Sequence, residues 1–237
     1  MNAERPLRMV SARAIASASV VFFAWPWAVF VVGVVLIAAS VYSASGLSFS
    51  AWETATQVPR WLTLVLAGYL AAVYLPLLVS HGRTRAEVLR EGGLVLLALA
   101  FVQSVLVALG FLVERAVYGL MGVDQELERK HLFENPSQFL YVVTEFTLIL
   151  SLWSLVGAGI ALAFYRSLLL GFASVPVGFL LTSTSEILVG SHYFGPFPPP
   201  DIALEFSLVF SVLSCAALIL LAAGALWVFS RRMPIRA

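Results

Sequence analysis

Six long apolar runs dominate this sequence and restrict the folds open to it. Each run is close to the roughly 20 apolar residues that a helix needs to cross a bilayer. Hydrophobic residues make up 61% of the chain and charged residues 11%, whereas a soluble domain carries about 25% charged residues. We therefore predict an all-helical membrane bundle of six spans, at Val20–Tyr42, Arg60–Val79, Leu94–Leu112, Phe139–Phe164, Leu168–Leu188 and Phe206–Phe229.

The distribution of basic residues predicts the orientation of these spans. With the N-terminus inside, ten of the 14 Lys and Arg residues fall on the inner side and four on the outer side, as the positive-inside rule requires. The inner set is Arg5, Arg8, Arg13, Arg83, Arg85, Arg90, Arg166, Arg231, Arg232 and Arg236, and the outer set is Arg60, Arg115, Arg129 and Lys130. We predict a multi-pass cell-membrane protein with both termini in the cytoplasm.

The connections are short, so the sequence predicts a single membrane domain over residues 20–229, with a segment 1–18 before it and a tail 230–237 after it. The first apolar run is longer than the roughly 7–15 residues of a signal-peptide core, so we expect it to be retained as a span. Apolar residues recur at helical spacing within residues 1–18, beside arginines. This pattern predicts a short amphipathic helix at the inner interface; the alternative is a basic tail that only fixes topology.

The loop between the second and third predicted spans carries a helix-start signal. Thr84 and Glu87 form the T-x-x-E pattern of a capping box, in which each side chain accepts a hydrogen bond from the other residue's amide. Gly82, just before it, permits a sharp turn. The pattern predicts a short, charged helix at the inner surface. The residues that we expect to contact a cytoplasmic partner are Arg83, Thr84, Arg85, Glu87 and Arg90.

This loop resembles the equivalent segment in membrane subunits of ABC transporters of the ABC-2 type, which often carry Gly-x-Thr/Ser-Arg after the second span. Here the segment reads Gly82-Arg83-Thr84-Arg85. The resemblance implies a coupling helix that docks on a separate ATP-hydrolysing subunit. It also implies six spans, both termini inside, an interfacial helix before the first span, pairing with an identical or similar permease, and export. The alternative is a positive-inside loop that begins with a good cap.

One departure limits what the resemblance implies about the substrate. Some family members carry a long helical hairpin between the fifth and sixth spans, whereas residues 190–203 here form a short loop with a proline cluster. The longer outer loop is instead Tyr118–Gln138, between the third and fourth spans. The substrate is therefore left open.

Common catalytic and nucleotide-binding patterns are missing from the sequence. It contains no G-x-x-x-x-G-K-[ST] loop, so ATP and magnesium are expected in the partner ATPase and not in this chain. It contains no G-x-S-x-G or H-E-x-x-H motif, and its single cysteine forms no paired motif. We therefore expect no enzyme activity, metal site or cofactor in this chain. The net charge of +1 gives no reason to expect nucleic acid as a partner.

Four polar residues fall within the predicted spans and are candidates for a substrate path: Gln103, Glu145, Ser183 and Glu186. Charge at membrane depth is costly, and it usually has a function. The alternative is structural, with Glu145 paired to Arg115 and Glu186 extending outward to the interface. Two other functions also remain open. One is a secondary transporter coupled to an ion gradient through Glu145; the other is a membrane scaffold or assembly protein that transports nothing.

Overall fold

The computed structural model describes residues 24–36, 49–190 and 206–231, which form helices and the turns between them. The elements are α1 (Ala24–Leu36), α2 (Ala51–Ala55), α3 (Gln57–Tyr69), a π-helical segment (Leu70–Tyr74), α4 (Leu75–Ser80), α5 (Arg85–Met121), α6 (Phe139–Arg166), α7 (Leu168–Val189) and α8 (Leu208–Arg231). With Ala51–Ser80 counted as one, five of the described helices are long and apolar enough to cross a membrane. The chain is therefore an all-helical, multi-pass membrane protein.

The first predicted span is described only over α1, whose 13 residues are fewer than the roughly 20 needed to cross a bilayer. The count of six spans and the cytoplasmic location of the termini therefore stay predictions. Residues 1–18, the proline cluster of residues 196–200 and the end of the tail lie outside the described residues.

The second span differs from its predicted limits. It begins at Ala51 instead of Arg60, because the Ser50 hydroxyl accepts a hydrogen bond from the Glu53 amide and starts the helix early. Arg60, which was predicted as the first residue of this span, therefore lies within the helical bundle, and its placement at the end of the span was wrong.

The capping box is confirmed, but the prediction that it starts a short, separate helix is wrong. The Thr84 hydroxyl accepts from the Glu87 amide at 3.3 Å, and the Glu87 carboxylate accepts from the Thr84 amide at 3.2 Å. The helix then continues without a break as α5, for 37 residues to Met121. It ends where Gly122 adopts a positive φ of 68°. The predicted coupling segment is thus the first part of α5.

The π-helical segment interrupts the second span just before a proline. Pro76 has no amide hydrogen, and in a regular helix its ring would clash with the carbonyl oxygen of Ala72. The wider turn of Leu70–Tyr74 separates these groups.

Helix α6 forms the centre of the bundle and packs against α3, α5, α7 and α8. It approaches α3 closely at Gly157, where an added methyl group would overlap the Leu64 carbonyl oxygen. The absence of a side chain at Gly157 is therefore what allows the two backbones to touch.

The helices run antiparallel, so the bundle has two distinct ends. We call the end that carries the turn between α4 and α5 the basic end, because Arg83, Arg85, Arg90, Arg166 and Arg231 lie there. We call the opposite end the loop end, because it carries residues 122–138 between α5 and α6.

Candidate functional site

The predicted coupling residues lie together at the basic end. The Arg83 guanidinium is 4.0 Å from the carboxylates of both Glu87 and Glu91, on successive turns of α5. Arg85 donates to the carbonyl oxygen of Arg231 at 3.3 Å, which ties the start of α5 to the end of α8. Arg90 is exposed. The segment is thus a charged surface held on the rigid start of a long helix.

A second group of functional candidates lies at the loop end, centred on His131. Its ring is held between two carboxylates, with Nδ1 2.7 Å from Glu145 Oε1 and Nε2 3.2 Å from Glu53 Oε1. One face of the ring stacks on Phe133 at 4.5 Å between centroids. The three polar side chains are 3% exposed or less. The loop therefore carries a buried charged residue into the bundle.

The same two carboxylates bind the loop backbone. Glu53 accepts hydrogen bonds from the amides of Glu128 and Arg129, at 2.7 and 2.9 Å. Glu145 accepts from the amide of Leu132 at 2.7 Å. Since buried carboxylates need such donors, the loop and the helices satisfy each other's polar groups.

His131 is a cation at neutral pH. Burial by itself lowers the pKa of this imidazole, but the Glu145 carboxylate, together with Glu53, outweighs burial and raises the pKa to about 9. Both ring nitrogens then carry hydrogen and donate, one to each carboxylate. A protonated His131 is what allows Glu53 and Glu145 to be buried near the same ring.

The structural alternative predicted that Glu145 pairs with Arg115. This prediction is wrong. The partners of Glu145 are His131 and the Leu132 amide, because the loop folds back over the start of α6. Arg115 is exposed and instead donates to the Asn135 side chain.

Glu186 is fully buried, so the prediction that it extends outward to the interface is wrong. Arg60 Nε donates to Glu186 Oε1 at 2.8 Å and Arg60 Nη2 to Oε2 at 3.2 Å, a two-point ion pair between α3 and α7. Trp153 of α6 adds an indole N–H to Glu186 at 3.2 Å, and Thr56 accepts from Arg60 at 2.7 Å. The pair thus joins three helices.

The remaining two path candidates are also buried. The Gln103 side-chain oxygen accepts from the Thr63 hydroxyl at 3.0 Å, whereas its amide nitrogen has no hydrogen-bond partner among the described residues. Ser183 is 6% exposed on α7, three residues from Glu186. Gln103 and Glu186 both bond to α3, and Glu145 bonds to the loop, so these side chains have different partners and do not converge on one another. Their role in a substrate path stays a prediction.

The half-buried carboxylate of Glu114 fastens the other side of the loop. Glu114, on the last turns of α5, accepts from the Ser50 hydroxyl, from the Trp52 amide at 2.8 Å and from the Gln125 side chain at 2.6 Å. The start of the second span and the loop are therefore both attached to α5.

Sequence reasoning missed Glu53, Arg60, Glu114 and His131 as members of a site. One signal was available for the first two: they lie seven residues apart, which places them on the same helix face, and Arg60 counts against the positive-inside bias. No local pattern marks His131, because its partners are 14 and 78 residues away.

No family model, curated protein or solved structure matches this chain. The features that bear on function lie at the two ends of the bundle. The basic end offers a charged surface for a partner, and the loop end offers a buried protonated histidine between carboxylates.

Proposed function

We propose that this chain is the membrane-spanning permease subunit of an ATP-driven transporter of the ABC-2 type. A separate cytoplasmic ATPase would bind ATP and magnesium, and two permease chains, identical or similar, would form the membrane pathway. The observation that carries the proposal is the capped, arginine-rich start of α5, which has the Gly-x-Thr-Arg pattern and belongs to a helix of 37 residues. The resemblance favours export.

The length of α5 supplies the mechanical part of the proposal. A helix rises 1.5 Å per residue, so a rigid α5 is about 55 Å long and links the basic end to the loop end. Movement of Arg85 by the ATPase would therefore displace Glu114 and, with it, the attached Trp52 and Gln125. The contacts at both ends belong to one continuous helix, which supports coupling between them.

A pull-down tests the proposed contact. Reversing Arg85 and Arg90 to Glu places like charges in an electrostatically matched interface, which costs several kcal/mol. We expect the ATPase to copurify with the wild-type chain and to be lost with the double reversal at equal membrane levels. The matched control is Arg115→Glu with Lys130→Glu, the same change in charge on exposed residues of the loop end, which should retain the ATPase. Equal recovery with all three chains would place the contact elsewhere.

The proposal also requires the basic end to face the cytoplasm. In a Cys215→Ser background, an impermeant thiol reagent added to intact cells should label a cysteine at Asp124 and spare cysteines at Ser80 and Ser167. Labelling at Ser80 from outside would reverse the orientation and remove the coupling contact.

The loop end favours a second candidate, an ion-coupled secondary transporter. A protonated histidine buried between Glu53 and Glu145 is a group that a proton-coupled carrier could use. This candidate predicts transport that needs a proton gradient and no ATPase, and that is lost in His131→Gln. Transport that depends on ATP and survives collapse of the proton gradient would exclude it.

A further inference from the structure

An apolar pocket of about 190 Å³ lies between the π-helical segment, α5, α6 and α8. Its lining includes Tyr74, Gly92, Gly93, Ala158, Leu162 and Trp227. An apolar cavity of about 150 Å³ is large enough to hold a benzene-sized molecule. The pocket therefore has room for a segment of a hydrocarbon chain.

Two irregularities of the helices meet at this pocket. The π-helical segment Leu70–Tyr74 contributes to one wall, and π-bulges are frequent at functional sites. The pair Gly92–Gly93 contributes to another, although glycine weakens a helix relative to alanine. A Cβ atom at either glycine would have no atom within 4 Å, so packing does not demand glycine there. The glycine pair widens the pocket. Breaks in local helix preference that packing does not require are expected at functional sites.

Arginines lie beyond the pocket on the side of the basic end. Each of the three helices α5, α6 and α8 carries an arginine about one turn from a residue that lines the pocket. Arg85 lies near Val88, Arg166 near Leu162 and Arg231 near Trp227. The Arg231 Cζ atom lies over the ring of Trp227, which lines the pocket, 5.9 Å from the ring centroid. The Arg166 Cζ atom lies over the Phe229 ring at 5.4 Å. A guanidinium presents a planar fork of N–H donors that matches a phosphate. The pocket is thus apolar inside and basic at one end.

We propose that this pocket binds an anionic phospholipid, with an acyl chain between α5, α6 and α8 and the headgroup phosphate at Arg166 and Arg231. The charge pattern matches this ligand, because one molecule supplies both an apolar chain and a negative phosphate. Basic pockets between membrane helices bind anionic lipid headgroups in this way. The proposal does not depend on an ATPase partner.

Trp227 provides the assay, because it lines the pocket and a bromine atom quenches indole fluorescence at contact distance. The purified full chain is placed in nanodiscs that contain chain-brominated phosphatidylglycerol or, for comparison, chain-brominated phosphatidylcholine. The Trp227 signal is the difference between the wild type and Trp227→Phe. One arginine near an anionic headgroup raises the affinity for that lipid about fivefold. We therefore expect at least a fivefold preference of the Trp227 site for phosphatidylglycerol.

Two kinds of variant test the two parts of the ligand. Arg166→Gln with Arg231→Gln should abolish the preference, whereas Arg115→Gln with Lys130→Gln, at the loop end, should retain it. Gly93→Leu should fill the pocket and protect Trp227 from both brominated lipids; Ala223→Leu, from α8, serves the same purpose if Gly93→Leu does not fold. Equal quenching of wild-type Trp227 by the two lipids would overturn the proposal, since it would indicate ordinary boundary lipid. A preference that survives the double arginine substitution would also overturn it.

Discussion

Raising the pH through 9 removes one proton from the His131 imidazolium, whose two ring nitrogens face two buried carboxylates. Its pKa is about 9 in the folded chain, against 6.5 for an unperturbed histidine. A pKa that is raised on folding contributes stability that is complete below 6.5 and is lost as the pH rises through 9. At about 1.4 kcal/mol for each factor of ten, the contribution of His131 is about 3 kcal/mol at pH 6 and close to zero at pH 10.

The measurement is the free energy of unfolding from denaturant titrations in detergent micelles, between pH 6 and pH 10. The wild type should lose about 3 kcal/mol more than His131→Gln across this range. The control is His81→Gln, which changes an exposed histidine at the basic end and should follow the wild type. A wild-type curve that runs parallel to that of His131→Gln would show that the ring is neutral or that its charge does not stabilise the fold.

Three further predictions concern contacts within the bundle. Arg60→Ala leaves Glu186 buried without its cation, so unfolding measurements should show a loss of about 3–5 kcal/mol, much of it recovered when Glu186 is also replaced by Leu. Gly157→Ala forces α3 and α6 apart and should cost about 1–3 kcal/mol. Gly159→Ala, whose new methyl group would lie 3.9 Å from its nearest neighbour, should not destabilise the bundle and should gain about 0.5–1 kcal/mol, because alanine favours a helix over glycine. Thr84→Ala removes a cap worth about 1 kcal/mol, so hydrogen exchange should accelerate in the first turn of α5 while the unfolding midpoint of the bundle changes little.

The parts of the fold that depend on local sequence were predictable. Apolar runs of bilayer length located the spans from α3 to α8, and the capping box at Thr84 located the start of α5 to the residue. The third span was predicted to end at Leu112, whereas α5 ends at Met121, before Gly122, which adopts a positive φ. The length of α5 was underestimated because hydropathy falls at its charged ends, although nothing there breaks a helix.

The buried charges could not be predicted in the same way. Arg60 and Glu186 are 126 residues apart, and Glu53 and His131 are 78 apart. Each charged residue alone indicates an interface or a loop, because an unpaired charge is too costly to bury. Only the packing of α3 against α7, and of the loop over α6, brings the opposite charges together.

Site-specific photocrosslinking in intact cells tests whether the start of α5 contacts a cytoplasmic ATPase. A photoreactive residue replaces exposed Ala86, on the proposed contact surface, or exposed Ser137, at the loop end. The crosslinked products are identified by mass spectrometry. We expect the residue at position 86 to capture a protein with an ATP-binding phosphate loop and the residue at position 137 not to capture it. Capture of that ATPase from position 137, or no ATPase at all from position 86, would exclude the proposed contact.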